Sequence, residues 1–178
     1  MKYFFSTLFF FYFFQGTSST GKILWRVKLP LPATAIEFNP EGDTICCCMS
    51  IHGGSAGQVM LLNPMNGMVV HNLEHAAGVL NCTFQPVGVY GIPPLLATCG
   101  HNGMMNLFCA STLCDRSDLL TGGHSVHCST CVFSPNGMYF VSGDCTGSVI
   151  LRQFSFSKNK LTLVQKQRWN MGGPISAW

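Results

Sequence analysis

The sequence predicts an all-β fold assembled from repeats, and three observations carry that prediction. First, an aromatic followed by x-Pro recurs along the chain. Ala35-Ile-Glu-Phe-Asn-Pro40, Asn81-Cys-Thr-Phe-Gln-Pro86 and Thr130-Cys-Val-Phe-Ser-Pro135 place Phe38, Phe84 and Phe133 at intervals of 46 and 49 residues. Second, turn-forming clusters separate short apolar runs, at Asn39-Pro-Glu-Gly42, Asn63-Pro-Met-Asn-Gly67, His101-Asn-Gly103 and Pro135-Asn-Gly137. These residue types tolerate tight backbone geometry. Third, no long helical period interrupts the runs, and short runs bounded by turns read as strands. The 178 residues are 47% hydrophobic and 10% charged, against about 25% charged in an average soluble domain. Such a composition excludes intrinsic disorder, an acidic tail protein and a strongly basic nucleic-acid binder. A net charge of +3 names no partner.

The first segment differs from the rest. Seven of the 14 Phe lie between Phe4 and Phe14, behind the single charge of Lys2. A positive start followed by the 12-residue apolar run Tyr3–Phe14 has the layout of a secretory signal, and it is shorter than the roughly 20 residues of a spanning helix. Small residues at Gly16, Thr17, Ser18 and Ser19 follow without an A-x-A cleavage pattern. Residues 1–19 are expected to be a hydrophobic leader, or an atypical start outside the fold. Gly16-Thr-Ser-Ser-Thr-Gly21-Lys22 matches the G-x4-G-K part of a phosphate loop, but Ile23 stands where the Mg²⁺-binding Ser or Thr belongs. The loop should also open a helix, whereas Lys22–Leu29 reads as a strand stopped by Pro30. Nucleotide binding is not expected, and no cofactor is implied.

From residue 20 onward the repeat governs. Asn66-Gly67 lies 17 residues before Phe84 and Thr20-Gly21 lies 17 before Phe38, while Gly57, Gly103 and Gly147 each open a further strand. Four short strands fit each unit; in the third they are expected at Thr112–Leu120, His127–Phe133, Met138–Ser142 and Gly147–Phe154, with a turn from Asp144 to Gly147. The units run over about 20–66, 67–110, 111–154 and 155–178. The last begins at Gly173-Pro-Ile-Ser-Ala-Trp178, where Trp178 takes the Phe place 45 residues after Phe133. Periods of about 40–45 residues with β-type content are the mark of propeller blades.

These residues resemble the WD-repeat β-propeller family. The match is densest in Gly123-His124, Cys131-Val-Phe-Ser-Pro-Asn-Gly137, Phe140-Val-Ser-Gly143 and Thr146-Gly-Ser-Val-Ile-Leu151, which follow the family's order of Gly-His, Phe-Ser-Pro-x-Gly, Ser-Gly and x-Gly-Thr-Val-x-Leu-Trp-Asp. The resemblance implies blades fixed by hydrogen bonds among a loop His, an Asp before the turn Gly, a Ser or Thr and a strand Trp. In the third unit it assigns His124 and Ser142, with Thr146 at the Asp place and Arg152 at the Trp place. In the second it assigns His75, Thr98, Asn102 and Phe108, and in the first only Cys48, Ala56 and Leu62 remain. No unit keeps the Trp-Asp pair, so packing between neighbours is expected to carry the stability, as in other stacked repeats.

The expected architecture is a propeller fragment of about three four-stranded blades plus the start of a fourth. Three blades do not close a ring, since closed propellers have 4–8, and open blades expose strand edges that pair with other chains. The expectation is a piece of a longer propeller, with completion by a partner or a second copy as the alternative.

Other chemistry is weakly encoded. The ten Cys have no regular framework and fall mostly in predicted strands, where a free thiol behaves as a small buried hydrophobe and points to a reducing compartment. His124, His127, Cys128 and Cys131 form the tightest set of metal-type ligands, but a strand turns Cys128 and Cys131 to opposite faces, so a metal is not expected. The His and acidic residues show no hydrolase or kinase spacing, and no catalytic residue is assigned. Asn81-Cys-Thr83 fits a glycosylation acceptor but sits on a predicted inner strand. Arg152, Lys158, Lys160, Lys166 and Arg168 read as a solvated hairpin tip at Lys158-Asn-Lys160 and a charged outer strand.

The resemblance implies a non-catalytic scaffold that binds other proteins through its faces and assembles a complex within the cell. Nucleic acid is not expected, and a membrane only if residues 1–16 act as an anchor. Blade loops and the channel rim would do the recognising, which makes Asp144, Arg152, His101 and Arg116 the loose candidates. The alternative is a secreted or membrane-anchored propeller that uses the Phe-rich start.

Overall fold

The computed structural model describes residues 11–16, 23–51, 53–120, 123–158 and 160–176. Its elements are β1 (Phe11–Gly16), β2 (Ile23–Leu29), β3 (Ala33–Phe38), β4 (Ile45–Ser50), β5 (Gly57–Leu62), β6 (Val69–His75), β7 (Val79–Phe84), β8 (Leu95–Gly100), β9 (Met105–Cys109), β10 (Cys128–Phe133), β11 (Tyr139–Asp144), β12 (Ser148–Ser157) and β13 (Lys160–Asn170), with short 3₁₀ turns at His101–Gly103 and Ser117–Leu119. The fold is all-β and antiparallel, of the propeller type, as the repeat predicts. Among the described residues no helix is long and apolar enough to cross a membrane.

Strands pair in chain order within each blade. Blade one is β3-β4-β5-β6, blade two is the three-stranded β7-β8-β9, and blade three is β10-β11-β12-β13. The inner strand β7 packs against β3 on one side and β10 on the other, so the blades stand side by side with their inner strands adjacent. The strands that open the second and fourth sequence units close the preceding sheets: Val69–His75 pairs with β5 and Lys160–Asn170 with β12, because a short hairpin returns the chain to the edge it has just left.

The blade interiors are buried on both faces, which explains apolar runs without alternation. In β4 every residue is buried: Ile45, Cys47 and Met49 pack toward β2, while Cys46 and Cys48 pack toward β7. Period two thus sorts one run of Cys into two cores. The interface between blades two and three gathers Phe133, Phe140, Phe154, Leu107, Leu161 and Leu163. Burying each such side chain contributes about 1.5–3 kcal/mol.

Two expected strands are not found. The segment Thr112–Leu120 is a turn, an isolated bridge between Phe108 and Asp115, and the 3₁₀ turn. Leu113 sits at φ 56°, the Asp115 carboxylate accepts the Ser117 N–H at 2.8 Å, and the Arg116 N–H goes to the Leu107 carbonyl. Local Asx hydrogen bonding displaces strand pairing here, which leaves blade two with three strands. The expected strand from Gly173 is irregular over residues 171–176, and its last two residues lie outside the described ones. Ile175 nevertheless takes a neighbour's place: the Ser129 hydroxyl bonds to the Ile175 carbonyl much as the Thr34 hydroxyl bonds to the Val79 carbonyl of the next blade.

Of the leader, Phe11–Gly16 pairs antiparallel with β2, while residues 1–10 and the phosphate-loop residues 17–22 lie outside the described ones. β2 lies against blade one, where Leu29 is buried and the Trp25 indole N–H donates to the Pro64 carbonyl at 2.8 Å. The hairpin tip at Lys158 and the charged strand carrying Lys166 and Arg168 are exposed, as expected.

Candidate functional site

Blade three carries a buried polar network. His124 precedes β10, Ser142 and Asp144 alternate onto one face of β11, and Arg152 lies opposite Phe140 on β12. His124 Nδ1 lies 2.7 Å from Asp144 Oδ2 and its Nε2 lies 2.9 Å from Ser142 Oγ, while Arg152 Nη1 donates to the same hydroxyl at 2.9 Å. The Nδ1 proton belongs with the carboxylate. Ser142 then gives its proton to Nε2 when the ring is neutral and accepts from it when the ring is charged.

Asp144 also accepts from the Thr146 N–H at 2.9 Å, the Thr146 hydroxyl at 2.7 Å and the Ser148 N–H at 3.0 Å. Burial works to raise its pKa, but these hydrogen bonds and that of His124 hold it at about 2. Burial likewise opposes a charge on His124, yet its bonds to Cys128 and Asp144 outweigh this and raise its pKa. Burial lowers the pKa of Arg152. The turn needs Gly147, at φ 95°, where a side chain would strike the Gly173 backbone.

The Asp place therefore belongs to Asp144 and not to Thr146, whose hydroxyl instead supports that carboxylate. The sequence already held the signal, an Asp three residues before the turn glycine, but Thr146 stood nearer the aligned motif. The strand register corrects the other units too. Cys82 opposite Thr98 matches Cys131 opposite Ser142, so Thr98 holds the Ser place and Gly100 the Asp place. Asn102 is an exposed turn residue at φ 65° and has no part in the network. In blade one, Ile36 opposite Cys47 puts Cys47 rather than Cys48 at the Ser place. Met49 replaces Ala56 at the Asp place, because Met49 pairs with Ala33 as Asp144 pairs with Cys128.

The three blades form a series. Blade one has Leu29, Cys47, Met49 and Leu62, all buried in one apolar cluster. Blade two has His75, Thr98, Gly100 and Phe108: His75 Nδ1 lies 3.0 Å from Asn106 Nδ2, its ring meets Phe108 edge-on, and His75 Nε2 and the Thr98 hydroxyl are buried with no hydrogen-bond partner among the described residues. These two residues, Gly100 and Asn106 line a cavity of about 10 Å³. Blade three has the complete polar set.

The metal-type set of the sequence does not come together. His124 is committed to Asp144 and Ser142, and His127 is exposed against His101, with ring centroids 4.4 Å apart. Cys128 and Cys131 do not point to opposite faces as strand alternation predicts. A bulge between Cys128 and Thr130 resets the register and buries both thiols in one core. Of the loose recognition candidates, Asp144 and Arg152 are buried and structural, whereas His101 is half-buried and Arg116 forms an ion pair with Asp118 at 3.4 Å across partly exposed surface. Asn81 lies on β7, opposite Cys99.

Antiparallel blades with adjacent inner strands and a His-Asp-Ser lock define a propeller-type repeat protein. Residues 116–151 match the family model for the WD domain, G-beta repeat. No curated protein matches the chain. WD repeats generally mediate protein–protein interaction, and proteins that carry them are typically non-enzymatic scaffolds.

Proposed function

We propose that this protein is a non-catalytic scaffold inside the cell, holding partner proteins against its blade faces and loops. The observation that carries the reading is the use of the WD repeat's polar groups. His124, Ser142, Asp144 and Arg152 are buried and hydrogen-bonded to one another, so they serve the blade and leave recognition to the loops. Eight of the ten Cys are buried and all ten are free, which fits a reducing compartment.

The test is affinity purification of the tagged full chain from cells after mild crosslinking, beside the loop variants His101→Ala and Arg116→Glu. A stoichiometric set of proteins that depends on either loop residue supports the scaffold. Recovery of the chain alone, or of the same set from both variants, overturns it. Fractionation with and without residues 1–16 tests the compartment: export that depends on this segment replaces the intracellular reading with a secreted or anchored propeller.

A further inference from the structure

Three thiols meet between blades one and two. Cys46 and Cys48 lie two residues apart on β4 and face β7, from which Cys82 projects back. Their sulfurs all lie within 4.8 Å of one another, and the three side chains are 0%, 0% and 2% exposed. Most of the surrounding wall is apolar, formed by Val59, Leu61, Val79, Phe84 and Leu96, while Glu37 stands opposite Cys46 and spends its carboxylate on Thr83 and Phe84. Among the described residues no other group of three or more His, Cys, Asp or Glu brings its ligand atoms this close. The sequence carried a partial signal, Cys at i and i+2 in a strand, but nothing in it joins Cys82 to that pair.

We propose that Cys46, Cys48 and Cys82 form a binding site for monovalent copper, buried between the first two blades. Donor chemistry selects the ion. Calcium and magnesium need several oxygens, and the cluster offers sulfur alone. Structural zinc takes four ligands in a tetrahedron, and among the described residues no fourth His, Cys, Asp or Glu shares the spacing of the three sulfurs. Soft thiolates select Cu(I), which is content with two or three of them. A metal about 2.3 Å from each sulfur sets the sulfurs about 4 Å apart, within the spacing found. The apolar wall limits the net charge. Two thiols therefore bind as thiolates, releasing two protons to solvent, and the third stays neutral, leaving one negative charge on the site.

The neighbouring interface shows what a similar but non-binding arrangement looks like. Cys99 stands to Cys131 as Cys48 stands to Cys82, one blade further on, and all of Cys99, Cys128 and Cys131 are buried in one core. There the Cys128 thiol donates to the Thr130 carbonyl, and the three sulfurs do not draw into a common site.

The experiment uses the full chain with Cys114→Ser and Cys145→Ser, which removes the two exposed thiols. It is refolded without oxygen in the presence of Cu(I) held by a chromophoric chelator. The expected result is one copper per chain, two protons released, and a sulfur-only shell in X-ray absorption. Cys82→Ala, Cys46→Ala and Cys48→Ala should each weaken binding at least tenfold while keeping the β circular dichroism signal, and Cys131→Ala should leave it unchanged. If one variant does not fold, the others decide. Failure to draw copper from the chelator overturns the proposal, as does unchanged affinity in the three variants. Tighter binding of Zn(II) than of Cu(I) overturns the assignment of the ion.

Discussion

His124 Nδ1 sits 2.7 Å from Asp144 Oδ2, and both side chains are almost fully withdrawn from water. The carboxylate is also the acceptor for Thr146 and Ser148, so one side chain ties the entry to the blade to the turn between β11 and β12. Asp144→Ala strands these donors and leaves His124 without its counter-charge. Removing one partner of a buried pair costs about 3–5 kcal/mol. Urea unfolding should show a loss of that size, while Thr146→Val, which removes only one supporting bond, should cost about 1 kcal/mol.

The same pair sets a pH window. The pKa of His124 is raised in the folded chain, so its contribution is complete below the ordinary value of 6.5 and is lost as pH rises through the folded value. Asp144 is held at about 2 against an ordinary 3.8, so its contribution is complete above 3.8 and is lost as pH falls through 2. The stability difference between the native chain and His124→Gln should therefore be largest between about pH 4 and 6.5 and shrink on either side. A difference that stays constant from pH 3 to 9 would falsify this account.

Much of the fold was legible because Phe-x-Pro and the turn glycines are local signals, each read from a few adjacent residues. The all-β class and the blade repeat follow from them, while the His124–Ser142 contact is what the family resemblance implies. The strand that the pattern predicts at Thr112–Leu120 does not form because Asp115 and Ser117 use their side chains on the backbone, a competition that hydrophobic pattern does not register. The polar set was misplaced by register. Motif spacing points to Thr146, Asn102, Ala56 and Cys48, whereas cross-strand pairs assign Asp144, Gly100, Met49 and Cys47. The thiol cluster depends on a contact between two blades, and no single stretch of sequence contains it.

Blade two keeps part of the polar set without its acid. Gly100 holds the Asp place, and its ideal Cβ would fall 2.1 Å from the Gly78 carbonyl, so no side chain fits there. The Thr98 hydroxyl is left buried and, among the described residues, unpartnered. Thr98→Val removes an unsatisfied group while keeping the shape, and should raise stability by about 1 kcal/mol. Ser142→Ala at the matching place should lower it by at least as much, since that hydroxyl meets both His124 and Arg152. Thermal melting of the two variants distinguishes the cases by sign.

Glu37 reaches from blade one to blade two, where it accepts the Phe84 N–H at 3.2 Å and the Thr83 hydroxyl at 3.3 Å. Burial, opposed by those bonds, raises its pKa from 4.5 to about 7. A raised carboxyl pKa makes the folded state prefer the protonated form, so ionisation costs stability progressively from pH 4.5 to 7 and fully above. Glu37→Gln keeps an acceptor without the charge. After discounting for solvent screening, it should gain about 1 kcal/mol at pH 8 and nothing at pH 4. Denaturant midpoints at the two pH values measure this.

The apolar set of blade one shows that the same four places can be filled without any charge. Leu29, Cys47, Met49 and Leu62 are each no more than 4% exposed and pack together. Buried ion pairs replaced as a unit by well-packed hydrophobic residues are often neutral or stabilising, whereas partial replacement leaves uncompensated charge. The combined change His124→Leu, Ser142→Cys, Asp144→Met and Arg152→Leu should therefore return blade three to within about 2 kcal/mol of the native chain. Any one of the changes at His124, Asp144 or Arg152 alone should cost more than the four together. If the losses simply add, the network is not a cooperative unit, and blade three depends on each polar contact separately.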